Sequence, residues 1–336
     1  MPIVKICLIS NYSGQLDEGI GNIAFHLAQE LSTHHDILHL RLVGWADLLP
    51  DRSFWRDIEN FKPQIIHYVR GPSIQSLILM KILKSYSKGA KTVMSTTQPK
   101  FSSFSRSFIP LLKPNLVLTQ SCETEAEFAR YNCQTKFLPN GVHTRRFVPV
   151  SHDVKHTLRI KYGLPEQKFI ILHVGHIKRG RNIQILSEMN REQDNQVLIV
   201  GSTSVPVEPD IFLSLKSGGC IVLDNFFEDI QELYNLSDCY IFPTIDKLNS
   251  IEMPLSVMEA MSCNLPVLTT RYGALPRVFA EGEGFYFAEK YEDFIHLLTK
   301  VQNDNEEIKT RGKVLPYSWQ NISQRLGEIY HEVLNR

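Results

Sequence analysis

The chain has 336 residues, which at roughly 150 residues per domain is enough for two domains with sizeable cores. A composition of 43% hydrophobic and 21% charged residues is typical of a globular protein and excludes a disordered or fibrous one. The 36 Lys and Arg residues balance the 36 Asp and Glu residues, so no overall field attracts nucleic acid or an anionic membrane.

The six cysteines lie far apart, with no C-x-x-C pair and no histidine at zinc-ligand spacing, so we expect them to be reduced and mostly buried. The apolar run at the N-terminus is interrupted by Lys5 and has the length of a strand rather than of a signal peptide. No apolar stretch reaches the roughly 20 residues that span a bilayer. These features predict a cytoplasmic protein.

Short apolar runs alternate with helical patterns along both halves of the chain, as in parallel sheets with crossover helices. In the first half these segments are residues 3–10, 21–31, 37–40, 65–69, 74–83, 92–95 and 116–119. In the second half they are residues 169–174, 183–189, 196–200, 221–223, 230–234, 239–242, 254–261 and 267–269. The pattern predicts an α/β protein with two doubly wound domains.

Residues 147–152 interrupt this rhythm with proline, small and polar side chains, which predicts a domain boundary near residue 150. After Ser318, apolar side chains recur at helical spacing as far as Val333. The tail is therefore predicted to be an amphipathic helix that buries one face.

A glycine pair, Gly19 and Gly21, lies where the first predicted strand turns into a helix. Glycines at such a turn let a ligand approach the backbone, and the helix N-terminus favours an anion. A tight turn without a ligand explains the same residues equally well. The third glycine of a dinucleotide fingerprint is missing, which disfavours a Rossmann dehydrogenase.

A cluster of cations follows the strand at residues 169–174, with His176, Lys178, Arg179 and Arg181 all within six residues. Several cations at the carboxyl end of a parallel strand match a diphosphate group. A solvated basic loop is the alternative. The position of these residues between a strand and a helix favours the diphosphate over the solvated loop.

Glu259 lies in an otherwise apolar helical segment that leads into a buried strand. A buried carboxylate requires hydrogen-bond donors, and the vicinal diol of a ribose offers two. A lone glutamate of this kind more often faces solvent.

In their order and spacing, these motifs resemble the retaining, nucleotide-sugar-dependent glycosyltransferases of GT-B fold, the glycosyl transferases group 1 type. The resemblance extends over almost the whole chain. It is carried by Gly19-Ile20-Gly21 with its helix, residues 138–144 and 147–149, Val174-Gly175 with Arg181-Asn182, residues 237–243, residues 254–267 and Ser318-Trp319.

The resemblance implies two Rossmann-like domains that face a cleft. Residues 1–150 would form the acceptor-side domain, and residues 151–315 would bind the nucleotide sugar. Residues 316–336 would form a helix that crosses back to the N-terminal domain.

The resemblance also implies roles for individual residues in binding the donor. Glu259 matches the family's ribose-binding glutamate, and Arg181 matches the lysine that binds the donor diphosphate. His176 stands where the family usually has a second cation, a charge that Lys178 or Arg179 can supply instead.

Four further positions match donor-side residues of the family. Gly19 and Gly21 match the glycines that let the N-terminal domain close over the donor phosphate and the acceptor. Leu255 and Ser256 match backbone positions near the diphosphate.

The sequence departs from the family pattern at two positions. Ile251 replaces the first glutamate of the acidic motif, which normally touches the transferred sugar, and Glu252 follows it. Gln98 aligns with the family's active-site histidine, and an amide cannot become cationic. His67, at the end of a predicted strand, is a weaker candidate for contact with the acceptor.

We therefore predict a retaining glycosyltransferase that needs no metal or other cofactor, because the chain contains no D-x-D triplet. Its donor would be a nucleoside-diphosphate sugar and its acceptor a glycan, a lipid-linked molecule or a small molecule. The proposed catalytic residues are Glu252, Gln98 and Arg181. Lys178, Arg179 and Gly21 would also stabilise the leaving diphosphate.

Three alternatives remain open at the level of sequence. An inverting GT-B enzyme is disfavoured by the motif at residues 254–261. A nucleotide-sugar-binding protein or non-catalytic partner subunit is suggested by Ile251 and Gln98. Residues 99–113 mix cations with aromatic residues, as does a helix lying on the inner face of a membrane, although a helix packed on the protein's own core is favoured.

Overall fold

The computed structural model describes residues 2–12, 18–42, 51–99, 106–191, 194–303 and 306–336. Within them the chain divides into two compact units. The first unit consists of Met1–Gly141, Ile251–Met253 and Trp319–Arg336, and the second of Val142–Ser250 and Pro254–Ser318.

The described part of the first unit contains a parallel sheet of six strands in the order β2-β1-β3-β4-β5-β6. The strands are β1 Lys5–Ser10, β2 Asp36–Arg41, β3 Ile65–Tyr68, β4 Lys91–Ser95, β5 Leu116–Thr119 and β6 Thr135–Phe137. The helices of this unit that precede β6 are α1 Gly19–Leu31, α2 Arg52–Phe61, α3 Ile74–Tyr86, α4 Ile109–Leu112 and α5 Cys122–Arg130.

The second unit repeats this architecture, and its described residues form a parallel sheet in the order β12-β11-β10-β7-β8-β9. The strands are β7 Phe169–Gly175, β8 Asn195–Gly201, β9 Ile221–Leu223, β10 Cys239–Phe242, β11 Val267–Thr269 and β12 Phe285–Phe287. The helices are α6 His152–Lys161, α7 Leu186–Met189, α8 Pro209–Ser217, α9 Ile230–Asn235, α10 Leu255–Ser262, α11 Leu275–Val278, α12 Tyr291–Asn303 and α13 Thr310–Val314.

The central strands are buried on both faces, which explains why they appear in the sequence as continuous apolar runs. Every residue of β3 and β10 is buried. Several helices begin where a side chain accepts a hydrogen bond from a backbone N–H that has no partner within the helix. These N-capping residues are Asp51, Ser73, Ser121 and Ser151.

The C-terminal helix α14, Trp319–Leu334, belongs to the first unit and packs against α1. Trp319 is 4% exposed and lies against Gly141, where an added Cβ would meet the indole at 2.4 Å. The predicted fold class, an α/β protein with two Rossmann-like units, is confirmed.

The second unit begins at Val142 rather than near residue 150. The N–H of Val142 donates to the carbonyl of Tyr317 at 2.9 Å. The carbonyl of Phe147 accepts from Ser262 at 2.7 Å and from Arg311 at 2.8 Å. Residues 142–150 therefore pack with the second unit, although their composition is that of a linker.

All six cysteines are free thiols, and all but Cys122 are buried, as predicted. Among the helices that the structure describes, none combines the length and the apolar character needed to cross a membrane.

Candidate functional site

Arg181 is the most deeply buried cation of the basic loop that follows β7. It ends a short 3-10 helix, Arg179–Arg181, and is 8% exposed. Its Nε is buried without a hydrogen-bond partner among the described residues. A Cβ on Gly175 would lie 2.9 Å from its Nη1, so the guanidinium needs a glycine at the end of β7.

Burial lowers the pKa of Arg181, although the hydroxyls of Tyr240 and Tyr272 oppose this effect. A buried cation is costly in free energy unless an anion or several acceptors face it. The end of β7 therefore fits an anionic ligand.

The other basic residues of the loop lie nearer the surface. Lys178 is half-buried and Arg179 is exposed, and the backbone N–H of Arg179 donates to the Glu208 carboxylate at 3.0 Å. The ring of His176 lies 3.2 Å from the hydroxyl of Ser204. The structure thus brings the predicted cations together on one loop.

Glu259 lies on α10, which begins after Pro254 without a side-chain cap. Its Oε2 accepts a hydrogen bond from the Tyr234 hydroxyl at 2.7 Å. Burial raises the pKa of this carboxyl, against the opposing effects of the Tyr234 bond and the Arg146 charge. Because one tyrosine hydroxyl satisfies only part of a carboxylate, Glu259 can accept from further donors.

Two tyrosines, which the sequence reasoning missed, connect the predicted groups. The Tyr240 hydroxyl donates to Ser256 at 2.7 Å and lies 3.3 Å from the carbonyl of Val174. The Tyr234 and Tyr240 rings are 5.9 Å apart between centroids. The sequence could have indicated them, because both are tyrosines within otherwise apolar segments and a buried hydroxyl requires a hydrogen-bond partner.

A loop between β10 and α10 packs on the basic loop. The Asn249 side chain lies over Gly180, where an added Cβ would meet its amide nitrogen at 2.2 Å. The same amide donates to Asp246 at 2.6 Å, and the Tyr272 hydroxyl donates to the carbonyl of Ser250 at 2.8 Å. The sequence assigned no ligand contact to this loop.

Residues 154–314, which contain both Arg181 and Glu259, match the family model "Glycosyl transferases group 1". Just under half of the chain is thus similar to that family. The sulfoquinovosyl transferase SQD2 of Arabidopsis thaliana is 25% identical over 80% of this chain and 57% of that protein. The chain spans little more than half the length of the curated relatives it matches.

Solved structures share the fold of this chain over 98% or more of its length. A glycosyltransferase from Rickettsia africae ESF-5 superimposes with a TM-score of 0.78 at 16% identity, covering 100% of both chains. Anabaena HepE in complex with UDP-glucose gives a TM-score of 0.75 at 14% identity, covering 98% of this chain and 100% of that one. At these identities the likeness is one of fold.

Gly19 and Gly21, the two glycines predicted to lie near the donor, are at the start of α1 in the first unit. The N–H of Gly21 donates to the Glu18 carboxylate at 2.7 Å. An anion at this N-terminus would have to displace a carboxylate of the chain itself. A Cβ on Gly19 would lie 3.2 Å from Cδ1 of Ile251, so this glycine makes room for the isoleucine.

Glu252, a predicted catalytic residue, lies in the three-residue segment that joins the first unit. Its carboxylate accepts from the Ser121 hydroxyl at 2.7 Å and from the Thr124 hydroxyl, and its N–H donates to the Thr97 carbonyl at 2.8 Å. Burial raises its pKa although these hydroxyls oppose the shift. The carboxylate is thus hydrogen-bonded to the start of α5. Contact with a sugar would require these hydrogen bonds to break.

Gln98 and His67 also belong to the first unit. Gln98 follows β4 and is half-buried, and its N–H donates to the Gly71 carbonyl at 3.2 Å. The His67 ring is fully buried, with Nδ1 2.6 Å from the Tyr330 hydroxyl and Nε2 2.8 Å from the Ser95 hydroxyl. This arrangement contradicts the prediction that His67 contacts an acceptor, because the ring has no nitrogen left to offer.

Proposed function

We propose that this chain is a glycosyltransferase that moves a sugar from a nucleoside-diphosphate sugar to an acceptor. The observation that carries the proposal is the buried Arg181 guanidinium, which has a nitrogen without a partner among the described residues, at the end of β7. The match of residues 154–314 to the family model supports the activity, and the UDP-glucose held by Anabaena HepE supports the donor class.

In the proposed complex, the donor diphosphate lies against Arg181, with Lys178 and Arg179 contributing charge from the same loop. The uncapped N–H groups at the start of α10, from Leu255 and Ser256, would complete the anion site. Breakage of the bond between the anomeric carbon and the phosphate oxygen leaves negative charge on the diphosphate. Preorganised cations stabilise this charge as it develops.

Glu259 would hold the nucleoside end of the donor. One of its oxygens is engaged by Tyr234, and the rest of its acceptor capacity suits the two hydroxyls of a ribose. We propose that the loop cations take the place of a metal ion. Retention of the donor's α configuration is proposed on the resemblance of residues 254–261 to the retaining enzymes.

The experiment is a thermal-shift screen against UDP, GDP and ADP and their sugars, followed by a donor-hydrolysis assay with the sugar nucleotide that stabilises most. We expect stabilisation by one nucleoside diphosphate and slow release of sugar from its donor. A protein that no nucleotide stabilises would contradict the proposal.

A second candidate is a nucleotide-sugar-binding protein or non-catalytic partner subunit. The observation in its favour is that Ile251 packs on Gly19, while the neighbouring Glu252 carboxylate is bound by Ser121 and Thr124. Neither side chain therefore offers a free carboxylate where the family has its sugar-binding glutamate. Ligand-dependent stabilisation without any turnover would favour this candidate.

We propose a cytoplasmic location, with which the six free thiols agree, since reducing compartments preserve them. A lipid-linked acceptor would bring the protein to a membrane surface. Co-sedimentation with anionic vesicles measures such contact.

A further inference from the structure

His173 lies on β7, two residues before Gly175, and is fully buried. Its Nδ1 is 2.9 Å from the carbonyl oxygen of Ile241. Because a carbonyl oxygen can only accept, Nδ1 carries the proton and Nε2 is left with a bare lone pair. The ring is inclined by 15° to the Tyr240 ring and by 28° to the Phe242 ring, each with its centroid 6.4 Å away.

The lone pair of His173 is buried without a hydrogen-bond partner in the part of the chain that the structure describes. The same is true of the Nε–H group of Arg181. A Cβ on Gly175 would be 3.4 Å from Nε2 of His173 and 2.9 Å from Nη1 of Arg181. An unused acceptor and a guanidinium therefore border the same small space, which the glycine leaves free of a side chain.

We propose that His173 is a positioning residue for Arg181. When the donor diphosphate binds the outer edge of the Arg181 guanidinium, Nε2 of His173 accepts a hydrogen bond from the same guanidinium. The inference rests on the proposed function. It adds a group beneath the guanidinium that fixes its orientation in the bound state.

A neutral acceptor suits this position better than a carboxylate. An aspartate or glutamate beneath Arg181 would neutralise the guanidinium and compete with the diphosphate for it. Burial and the nearby Arg181 charge lower the pKa of His173 to about 4, against the Ile241 hydrogen bond, so the imidazole stays neutral at physiological pH. The imidazole can thus orient the cation without cancelling its charge.

The first test compares binding of the nucleoside diphosphate that stabilises the parent with binding of the corresponding nucleoside, by calorimetry. His173→Phe keeps a ring beside Tyr240 and Phe242 but removes the acceptor. We expect about a tenfold loss for the diphosphate and less than about a twofold loss for the nucleoside. His173→Gln retains an amide oxygen and should recover most of the diphosphate affinity.

Phe242→Leu is the packing control, because it changes an aromatic neighbour of His173 without touching an acceptor. We expect it to change the affinities for the diphosphate and the nucleoside by equal factors. A selective loss in Phe242→Leu as large as that in His173→Phe would assign the effect to packing and overturn the inference.

A measurement on the unmutated protein avoids dependence on the folding of variants. In protein labelled with ¹⁵N-histidine, the Nε2 resonance of His173 should move in the direction of an accepted hydrogen bond when the diphosphate is added. The nucleoside should leave it in place. An Nε2 resonance that both ligands leave unchanged would overturn the inference.

The outcomes separate this inference from the function on which it rests. If the parent binds none of UDP, GDP and ADP, the proposed function fails and the inference fails with it. If the parent binds one of them and Arg181→Ala selectively weakens it, while His173→Phe binds both ligands like the parent, only the inference is overturned.

Discussion

At the scale of single residues, the second unit keeps two ionisable groups in surroundings that disfavour their charges. Burial lowers the pKa of Arg181 and raises the pKa of Glu259. Both shifts mean that the folded protein holds charge at a cost in free energy. A ligand that supplies an anion to one group and hydroxyl donors to the other would recover part of that cost.

Glu259→Gln should weaken binding of the nucleoside diphosphate by about 1.5–3 kcal/mol, because it removes charge-assisted hydrogen bonds while retaining the shape of the side chain. Calorimetry measures the loss. Glu306→Gln is the matched control, since Glu306 is another tyrosine-bound carboxylate of the second unit, paired with Tyr286. Equal affinities for Glu259→Gln and the parent would exclude the ribose role.

Arg181→Met should weaken binding of the nucleoside diphosphate far more than binding of the nucleoside, because only the diphosphate carries a negative charge that pairs with Arg181. The same change should raise the free energy of unfolding of the free protein by about 1–2 kcal/mol, since it removes a buried charge without a counter-ion. Urea denaturation measures the second effect. Arg271→Met, at an exposed residue paired with Glu281, should change neither quantity appreciably. A destabilised Arg181→Met protein would contradict the argument from buried charge.

At the scale of elements, α14 is held to the first unit by a tryptophan at one end and a tyrosine further along. Trp319 packs on Gly141, and the Tyr330 hydroxyl bonds the buried His67 on β3. Tyr330 and Trp319 are both buried. The helix thus contributes core side chains to a sheet that the N-terminal half of the chain forms.

Trp319→Ala should lower the free energy of unfolding by about 3–5 kcal/mol, as expected for removal of a buried aromatic side chain. Gly141→Ala should also destabilise, because its Cβ would lie 2.9 Å from Cα of Trp319, which is backbone and cannot turn aside. Gly312→Ala is the control, with nothing within 4 Å of the added Cβ. Urea denaturation in which both glycine variants match the parent would argue against this packing.

The buried His67 should make stability depend on pH. Burial lowers its pKa to about 3, whereas an exposed histidine titrates near 6.5. Between these values the unfolded chain binds the extra proton, so stability falls as the pH falls from 6.5 towards 3. This one group contributes a slope of up to about 1.4 kcal/mol per pH unit.

His67→Gln tests this dependence by urea denaturation at a series of pH values. The variant should be less stable than the parent at pH 7, because it loses the bonds to Ser95 and Tyr330, but its stability should fall less steeply below pH 6.5. Parallel pH profiles for the two proteins would show that His67 titrates normally in the folded state.

At the scale of the whole molecule, the chain passes between its two units several times, and the short segment Ile251–Met253 is one of the crossings. The Asn140 amide donates to the Met253 carbonyl at 2.8 Å, and Glu252 is bound on both its backbone and its side chain. The segment directly precedes α10, which carries Glu259. Residues next to each other in the sequence thus serve different units.

Glu252→Ala should reduce the free energy of unfolding by about 1–3 kcal/mol, because it leaves the hydroxyls of Ser121 and Thr124 without their acceptor. Its affinity for the nucleoside diphosphate should equal that of the parent. Urea denaturation and calorimetry measure these two effects. Transfer activity then decides the catalytic prediction, since full turnover in Glu252→Ala would exclude any role of Glu252 towards the sugar.

The sequence by itself was sufficient for the fold class and for locating a basic loop after a parallel strand. Strands of a parallel sheet are buried on both faces, so β3 and β10 were visible as apolar runs. The helix α2 and the strands β6 and β12 were missed because α2 is mostly polar and each of these strands has only three residues. The basic loop could be recognised because three cations and a histidine lie within six positions of one another.

Only the tertiary structure determined the contacts between residues that are distant in the sequence. The Glu252 carboxylate accepts a hydrogen bond from Thr124, which is 128 residues away in the sequence. The His67 ring is hydrogen-bonded to Tyr330, which is 263 residues away. Local patterns carry propensity and periodicity but no information on which distant side chain will satisfy a buried polar group. For that reason the sequence predicted Arg181 and Glu259, whereas the commitment of Glu252, the burial of His67 and the open acceptor of His173 emerged only when the chain was folded.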